Sequence, residues 1–119
     1  MLMTLVFGAS LNPSRYSNLA IRRLVENNID TMAFGAREGN VSEVQIKTKL
    51  DDFPNVDTIT LYLNPLRQKE YYQDILDLKP KRVIFNPGTE NPEFVRILED
   101  AGIMVENSCT LVLLATGQY

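Results

Sequence analysis

Leu5-Val6-Phe7-Gly8-Ala9-Ser10 is the stretch on which the reading of this chain turns. Three apolar residues suited to a buried strand run directly into a glycine, and a glycine at a strand exit lets backbone approach a ligand with no side chain in the way. Ser10 adds a hydroxyl donor, and the free N–H groups at the start of a following helix favour an anion. Asn12-Pro13-Ser14-Arg15 lengthens the turn and brings a guanidinium near that helix start, where it can grip a phosphate in bidentate fashion. Ser17, or alternatively Ser14, supplies a helix cap. Together these residues read as a diphosphate cradle, although an ordinary strand-to-helix connection draws on the same residue types. Of the three spaced glycines in the dinucleotide fingerprint only Gly8 is present, and the P-loop lysine is absent.

Outward from this turn, short apolar runs alternate with segments of helical period. Residues 17–28 place Ala20, Ile21, Leu24 and Val25 on one face and turn Arg22, Arg23 and Glu26 away, which predicts a helix. Residues 31–34 predict a second strand. Residues 44–48 alternate like a short edge strand, and Asp51-Asp52-Phe53-Pro54 reads as a turn or one irregular helical turn. Residues 56–63, rich in β-branched side chains and ended by Asn64-Pro65, form the strongest strand pattern. A helix is expected over residues 68–78, with Tyr71, Tyr72, Ile75 and Leu76 at helical spacing and Pro80 as its stop. Residues 82–85 are another strand, closed by Asn86-Pro87-Gly88-Thr89. The next helix is punctuated by Asn91 as cap, Pro92 in its first turn, an apolar face of Phe94, Val95, Leu98 and Ala101, and Gly102 at its exit. Residues 103–105 give a last strand, and residues 110–116 a short, mostly buried helix ending at Gly117.

Strands separated by helices imply right-handed crossovers and a mainly parallel sheet covered on both faces. The expectation is an α/β three-layer sandwich with a five-stranded, mainly parallel sheet, residues 1–119 forming a single domain. Ligands of such sheets sit beyond the carboxyl ends of the strands, where strand order reverses. The predicted strand exits are residues 8–17, 35–39, 63–65 and 86–89, which are also the polar, Gly/Pro-marked stretches.

Composition restricts what the turn can belong to. A chain of 119 residues, 45% hydrophobic and 23% charged, fits one domain and is too short for a cofactor domain plus an independent substrate domain. Any second component is then expected from another chain. A net charge of -3 offers no basic footprint for nucleic acid. With no histidine, the chain cannot build a histidine metal site, a serine-histidine-aspartate triad or an imidazole acid/base. Cys109 is the single cysteine, which rules out an intramolecular disulfide and a four-cysteine zinc site; a reducing, cytoplasmic compartment is the expected default. The apolar start, residues 1–7, lacks a basic leader and reads as a strand rather than a signal peptide. No run approaches the ~18 apolar residues of a membrane span.

The remaining exits sharpen the ligand class. NAD-selecting domains usually place a carboxylate after the second strand, whereas this chain has Gly35-Ala36-Arg37, a positive group suited to an extra ribose phosphate as in NADP or coenzyme A. Leu63-Asn64-Pro65 offers backbone groups and a small apolar wall. Tyr62 is either a core ring or a ligand contact. Glu90, the nearest carboxylate to Asn86-Pro87-Gly88, also suits a helix start on macrodipole grounds alone. Cys109, flanked by Ser108 and Thr110, is a buried thiol or one activated by a helix start. Leu111-Val112-Leu113-Leu114 is core or a subunit contact, so a homodimer or another protein partner stays open.

Val6-Phe7-Gly8-Ala9-Ser10 with Asn12-Pro13, Arg15 and Ser17, then Asn55-Val56-Asp57, then Lys81-Arg82-Val83-Ile84-Phe85-Asn86-Pro87-Gly88 leading into Thr89-Glu90-Asn91, resembles the CoA-binding domain family. Its stand-alone bacterial members are relatives of the amino-terminal domain of the succinyl-CoA synthetase alpha subunit. The resemblance covers residues 4–109, and the tail 111–119 resembles only stand-alone members. It implies a Rossmann-like domain binding coenzyme A or an acyl-CoA, with the phosphates over the first turn. By the same resemblance, Gly8, Ala9, Ser10, Asn12, Pro13, Arg15 and Ser17 would serve the diphosphate. Gly35, Ala36 and Arg37 would approach the adenosine, although the family commonly has a valine-asparagine-proline exit there. Asn64 and Pro65 would line the middle, and Asn86, Pro87 and Gly88 the pantetheine end. The expected function is therefore non-catalytic binding of coenzyme A or an acyl-CoA. The alternatives are a small NADP- or nucleotide-dependent enzyme completed by a partner subunit, and a scaffold acting through protein contacts.

Overall fold

In a computed structural model describing residues 2–50 and 53–119, β1 (Met3–Ala9) lies at the centre of the sheet. Its Leu5, Val6 and Phe7 are fully buried because the sheet is covered on both sides. The chain continues through α1 (Tyr16–Glu26), β2 (Asp30–Gly35), β3 (Gly39–Val41), β4 (Val44–Lys47) and β5 (Val56–Leu61). It then forms α2 (Pro65–Gln68), a 3-10 turn (Lys69–Tyr71), α3 (Tyr72–Leu78), β6 (Arg82–Phe85), α4 (Pro92–Asp100), β7 (Met104–Asn107) and α5 (Thr110–Ala115). The strand order is β3-β4-β2-β1-β5-β6-β7, with only β3 antiparallel to its neighbour. Leaving β3 aside, the six parallel strands have the doubly wound order, and it reverses between β1 and β5.

The α/β sandwich with a mostly parallel sheet agrees with the sequence, but the sheet has seven strands, not five. The expected edge strand at residues 44–48 is β4, an interior strand paired with β2, and the edge is β3. A hairpin replaces a crossover helix here. Its turn, Ser42-Glu43, carries two successive positive φ values, 47° and 66°, a geometry usually announced by Asn-Gly. Without that dipeptide β3 was invisible. The expected turn at residues 51–54 includes Asp51 and Asp52, which lie outside the described residues; Phe53 is buried.

Each sheet face has its own cluster. Leu5, Phe7, Ile59, Leu61, Val83 and Phe85 meet Ile75 of α3 and Phe94 and Leu98 of α4. Val6, Ala33 and Ile46 meet Ile21 and Leu24 of α1 and Leu114 of α5. Burying one such aliphatic side chain is worth about 1.5–3 kcal/mol, so the two clusters dominate the favourable side of folding.

Three helix expectations need correction. The segment 68–78 is not one helix: Asn64 caps α2 by accepting from the Arg67 amide at 2.9 Å, and a 3-10 turn separates α2 from α3. The tightening lets Tyr71 pack edge-on against Phe7 while Tyr72 stacks on Phe94 at 4.1 Å. Neither Ser17 nor Ser14 caps α1: the cap position is Arg15, and no side chain bonds the first-turn amides. Asn91 does cap α4, accepting from the Phe94 amide at 3.1 Å. The short helix α5 is less buried than expected, with only Thr110 and Leu114 buried and Val112 exposed.

Candidate functional site

A cleft of about 490 Å³ opens at the carboxyl ends of the strands, over the point where strand order reverses. Of the residues expected there, it is lined by Gly8, Ala9, Ser10, Arg15, Ser17, Gly35, Ala36, Asn64, Pro87 and Gly88. The exits of β1, β2, β5 and β6 and the start of α1 thus converge on one hollow. The cleft also takes Tyr16, Leu63 and Thr89, which fall within the predicted exits, Tyr62, an open alternative in the sequence, and Phe34, Arg67 and Tyr71, which the sequence does not mark as contacts. Arg67 lies on α2, whose early start the sequence did not suggest.

Gly8 has a φ of +97°, and a Cβ there would stand 3.0 Å from Leu63 Cδ2 and 3.1 Å from the Tyr62 carbonyl carbon. Glycine is therefore required both by backbone conformation and by the close approach of the β5 exit. The turn is then held by side chains. Ser10 Oγ accepts from the Asn12 amide at 3.1 Å, and Asn12 Oδ1 accepts from the Ser14 amide and hydroxyl at 3.0 and 2.8 Å. Asn18 Nδ2 donates to the Ser10 carbonyl at 3.0 Å, and Arg22 donates to Asn18 Oδ1 and to the Pro13 carbonyl at 3.0 and 3.2 Å. Asn12 and Pro13 are exposed and outside the lining, so they shape the loop from behind. Arg22, expected to face away, is one of the braces. The result is a rigid turn leading into a helix whose first amides have no side-chain cap, the arrangement that accepts an anion.

The opposite wall is built around Asn86, which is 1% exposed. Its Nδ2 donates to Thr60 Oγ1 at 2.6 Å and to the Leu61 carbonyl at 2.9 Å, while its Oδ1 accepts from the Thr110 amide at 2.9 Å. With the side chain committed in this way, Asn86 anchors the wall rather than lining it. Its carbonyl accepts from the Thr89 amide and hydroxyl, closing the turn that presents Pro87 and Gly88. Gln68 Nε2 ties the Leu63 and Thr89 carbonyls together at 2.9 and 2.8 Å. Glu90 Oε1 accepts from the Gly88 amide at 2.7 Å, bracing the same turn. Arg37 is exposed, and it and Pro65 lie outside the lining, next to Ala36 and Asn64 respectively.

Tyr62 belongs to the cleft lining, but its side chain packs against the α1/α5-side cluster, and its hydroxyl is buried and has no hydrogen-bond partner. The Thr60 and Thr110 hydroxyls beside it are committed to one another at 2.8 Å. Burial pushes the Tyr62 phenol from 10.0 up to about 12. A folded-state pKa above the unfolded one favours the fold below pH 10, and that contribution is lost as pH rises through 12. Alkaline unfolding should therefore be shallower for Tyr62→Phe than for the wild type between those two pH values, read by circular dichroism.

Among the described residues the cleft lining holds arginine, tyrosine, serine, threonine and asparagine side chains, but no carboxylate, thiol or histidine. Nor do three or more His, Cys, Asp or Glu side chains gather to hold a metal. The cations of the lining are Arg15 and Arg67. A second hollow of about 510 Å³ lies at the other end of the strands, lined among others by Asn27, Asn28, Asp30, Asp57 and Gly117. It adjoins the carbonyl ends of α1 and α5 and sets two carboxylates, Asp30 and Asp57, against one cation, Arg82, a balance less favourable to phosphate than that of the cleft. No described helix is long and apolar enough to cross a membrane.

Comparison with known proteins agrees with this geometry. A search of the curated proteins finds no match. An uncharacterized protein of known crystal structure is 44% identical over 100% of this chain and 98% of its own, with a TM-score of 0.95. A Thermus thermophilus protein shares the fold at 21% identity and a TM-score of 0.88, over 99% of this chain and 90% of its own. An acetyl-coenzyme A synthetase of Ca. Korarchaeum cryptofilum, solved with phosphate and ADP, shares it at 19% identity and a TM-score of 0.73, over 89% of this chain but 25% of that one. A family model described as CoA binding domain matches residues 3–115, nearly the whole chain, and this chain therefore belongs to the CoA binding domain family.

Proposed function

We propose that the cleft binds coenzyme A or an acyl-CoA, with the diphosphate on the Gly8-Ala9-Ser10 turn and the open start of α1. The observation that carries this reading is the convergence of that turn, Arg15 and Arg67 on one hollow at the strand-order reversal. Ser17 lies beside the phosphates, Gly35 and Ala36 receive the adenosine, and Arg37 at the mouth meets the ribose phosphate. Asn64 and Pro65 flank the middle. Pro87 and Gly88, positioned by Asn86, face the pantetheine. Kinship with the amino-terminal domain of the succinyl-CoA synthetase alpha subunit, and a cytoplasmic location, belong to the same reading.

Calorimetric titration of ligand-stripped protein with CoA tests it: heat and thermal stabilisation are expected, and neither appearing at millimolar ligand would sink it. Losing one charge-assisted contact should weaken binding by roughly 10- to 100-fold. Arg15→Ala should do so equally for CoA and dephospho-CoA, because both carry the diphosphate. Arg37→Ala should instead narrow the preference for CoA, and an unchanged preference would contradict its assignment.

A second reading is favoured by one observation: the same fold occupies about a quarter of a synthetase that handles acetyl-CoA. Since the lining provides no group able to act as a base at neutral pH, this reading needs that group from elsewhere. On this reading the chain is the nucleotide-binding part of an enzyme, using CoA, NADP or another nucleotide, whose acid/base group comes from a partner subunit. Mass spectrometry of copurified ligands and chains separates the two: CoA alone supports the first, a nucleotide with a stoichiometric partner the second.

A further inference from the structure

At the amino-terminal ends of the strands, one side chain fastens the α1/α5 face. Tyr119 Oη shares a hydrogen bond with Thr4 Oγ1 of β1 at 2.6 Å, and the Arg82 guanidinium of β6 stacks 4.7 Å from its ring centre. Arg82 is itself held, donating to Thr58 Oγ1 of β5 and to Glu106 of β7, both at 3.2 Å. The ring thus bridges the central strand and the β5-β6-β7 side of the sheet. The segment carrying it is tied to α5, since the Gln118 amide donates to the Leu113 carbonyl at 2.8 Å.

The other end of α5 is fastened to the cleft. Thr110 gives its amide to Asn86 Oδ1 and shares a hydrogen bond with Thr60, and Asn86 starts the turn presenting Pro87 and Gly88. At 6 residues, α5 is a rod of roughly 9 Å pinned at both ends, by the cleft wall above and by Tyr119 below. Of its residues only Thr110 and Leu114 are buried, Leu114 against Ile21 and Leu24 of α1, so the two end contacts add to a single core contact in fixing its register. We propose that Tyr119 is a positioning residue for the cleft: by clasping Thr4 and Arg82 it holds α5 in register, so that Thr110 meets Asn86 and keeps the Pro87-Gly88 wall in place.

The ligand part of this inference rests on the CoA reading; the mechanical part does not. Amide hydrogen exchange on the full chain tests the mechanics. In Tyr119→Ala, protection of the Thr110 amide should fall by about tenfold or more, the worth of a lost hydrogen bond and ring contact, while the β5 and β6 core amides keep theirs. Tyr119→Phe, which keeps the ring over Arg82, guards against a fold lost in the first variant and should give a smaller, equally local effect. Unchanged protection at Thr110, or an equal loss at all core amides, overturns the clasp. Titration with CoA is the second arm: weaker binding by Tyr119→Ala is expected, and unchanged affinity with Thr110 selectively opened overturns the link to the cleft. If the wild type takes up no CoA, the cleft reading falls while exchange still decides the clasp.

Discussion

Gly35→Ala is expected to destabilise the domain by about 3 kcal/mol, lowering the melting temperature by roughly 10 °C, as overpacking against unyielding backbone does. An added Cβ would stand 2.3 Å from the Ala9 carbonyl oxygen and 3.1 Å from Ile46 Cγ2. The oxygen belongs to the neighbouring strand at the pair Ala9↔Gly35, just beyond an irregularity in the β1–β2 register. Backbone must therefore move, and the part that moves is the strand exit carrying the Gly8-Ala9-Ser10 turn, the proposed seat of the diphosphate. CoA affinity should fall with stability. Gly88→Ala is the control: its φ is +91° but nothing lies within 4 Å of the added carbon, so only left-handed strain of about 1–2 kcal/mol is expected. Equal melting temperatures for the two variants would refute the packing argument.

Asn86→Ala is expected to cost about 3–4 kcal/mol, because it leaves the Thr110 amide and the Leu61 carbonyl without the partner each has in a buried setting. The loss reaches function through the wall. Without the Asn86 side chain, Thr110 holds α5 through its hydrogen bond to Thr60 alone, and the Pro87-Gly88 turn loses its side-chain tie to β5. Chemical denaturation should show a lower midpoint with little change in slope, since the folded surface is nearly the same. A near-wild-type midpoint would show that water or a neighbouring side chain takes over these bonds.

These two positions illustrate different kinds of legibility. Gly35 was readable as a strand exit, and its neighbours Gly8, Ala9, Ser10, Arg15 and Ser17 were readable as a turn and helix start because each meaning is local. Asn86 was placed near the ligand for being polar at an exit, yet its three bonds reach residues 24 to 26 positions away in sequence. No local pattern announces such a bracket. Arg67 was missed for a related reason: Asn64-Pro65 was read as the end of a strand, although an asparagine cap before proline also starts a helix. β3 escapes notice because a Ser-Glu turn does the work of Asn-Gly.

Periodicity, residue type and short-range spacing, which the chain carries in every conformation, suffice for the alternation of strand and helix, the glycine turn at the first strand exit, the lack of histidine chemistry and the kinship with CoA-binding domains. Which polar residues face the cleft and which are consumed behind it, and that Tyr119 and the cleft wall hold opposite ends of one helix, emerge with the packed fold. The physical reason is that a buried donor or acceptor must find a partner, and in a parallel sheet that partner lies on a neighbouring strand dozens of residues away.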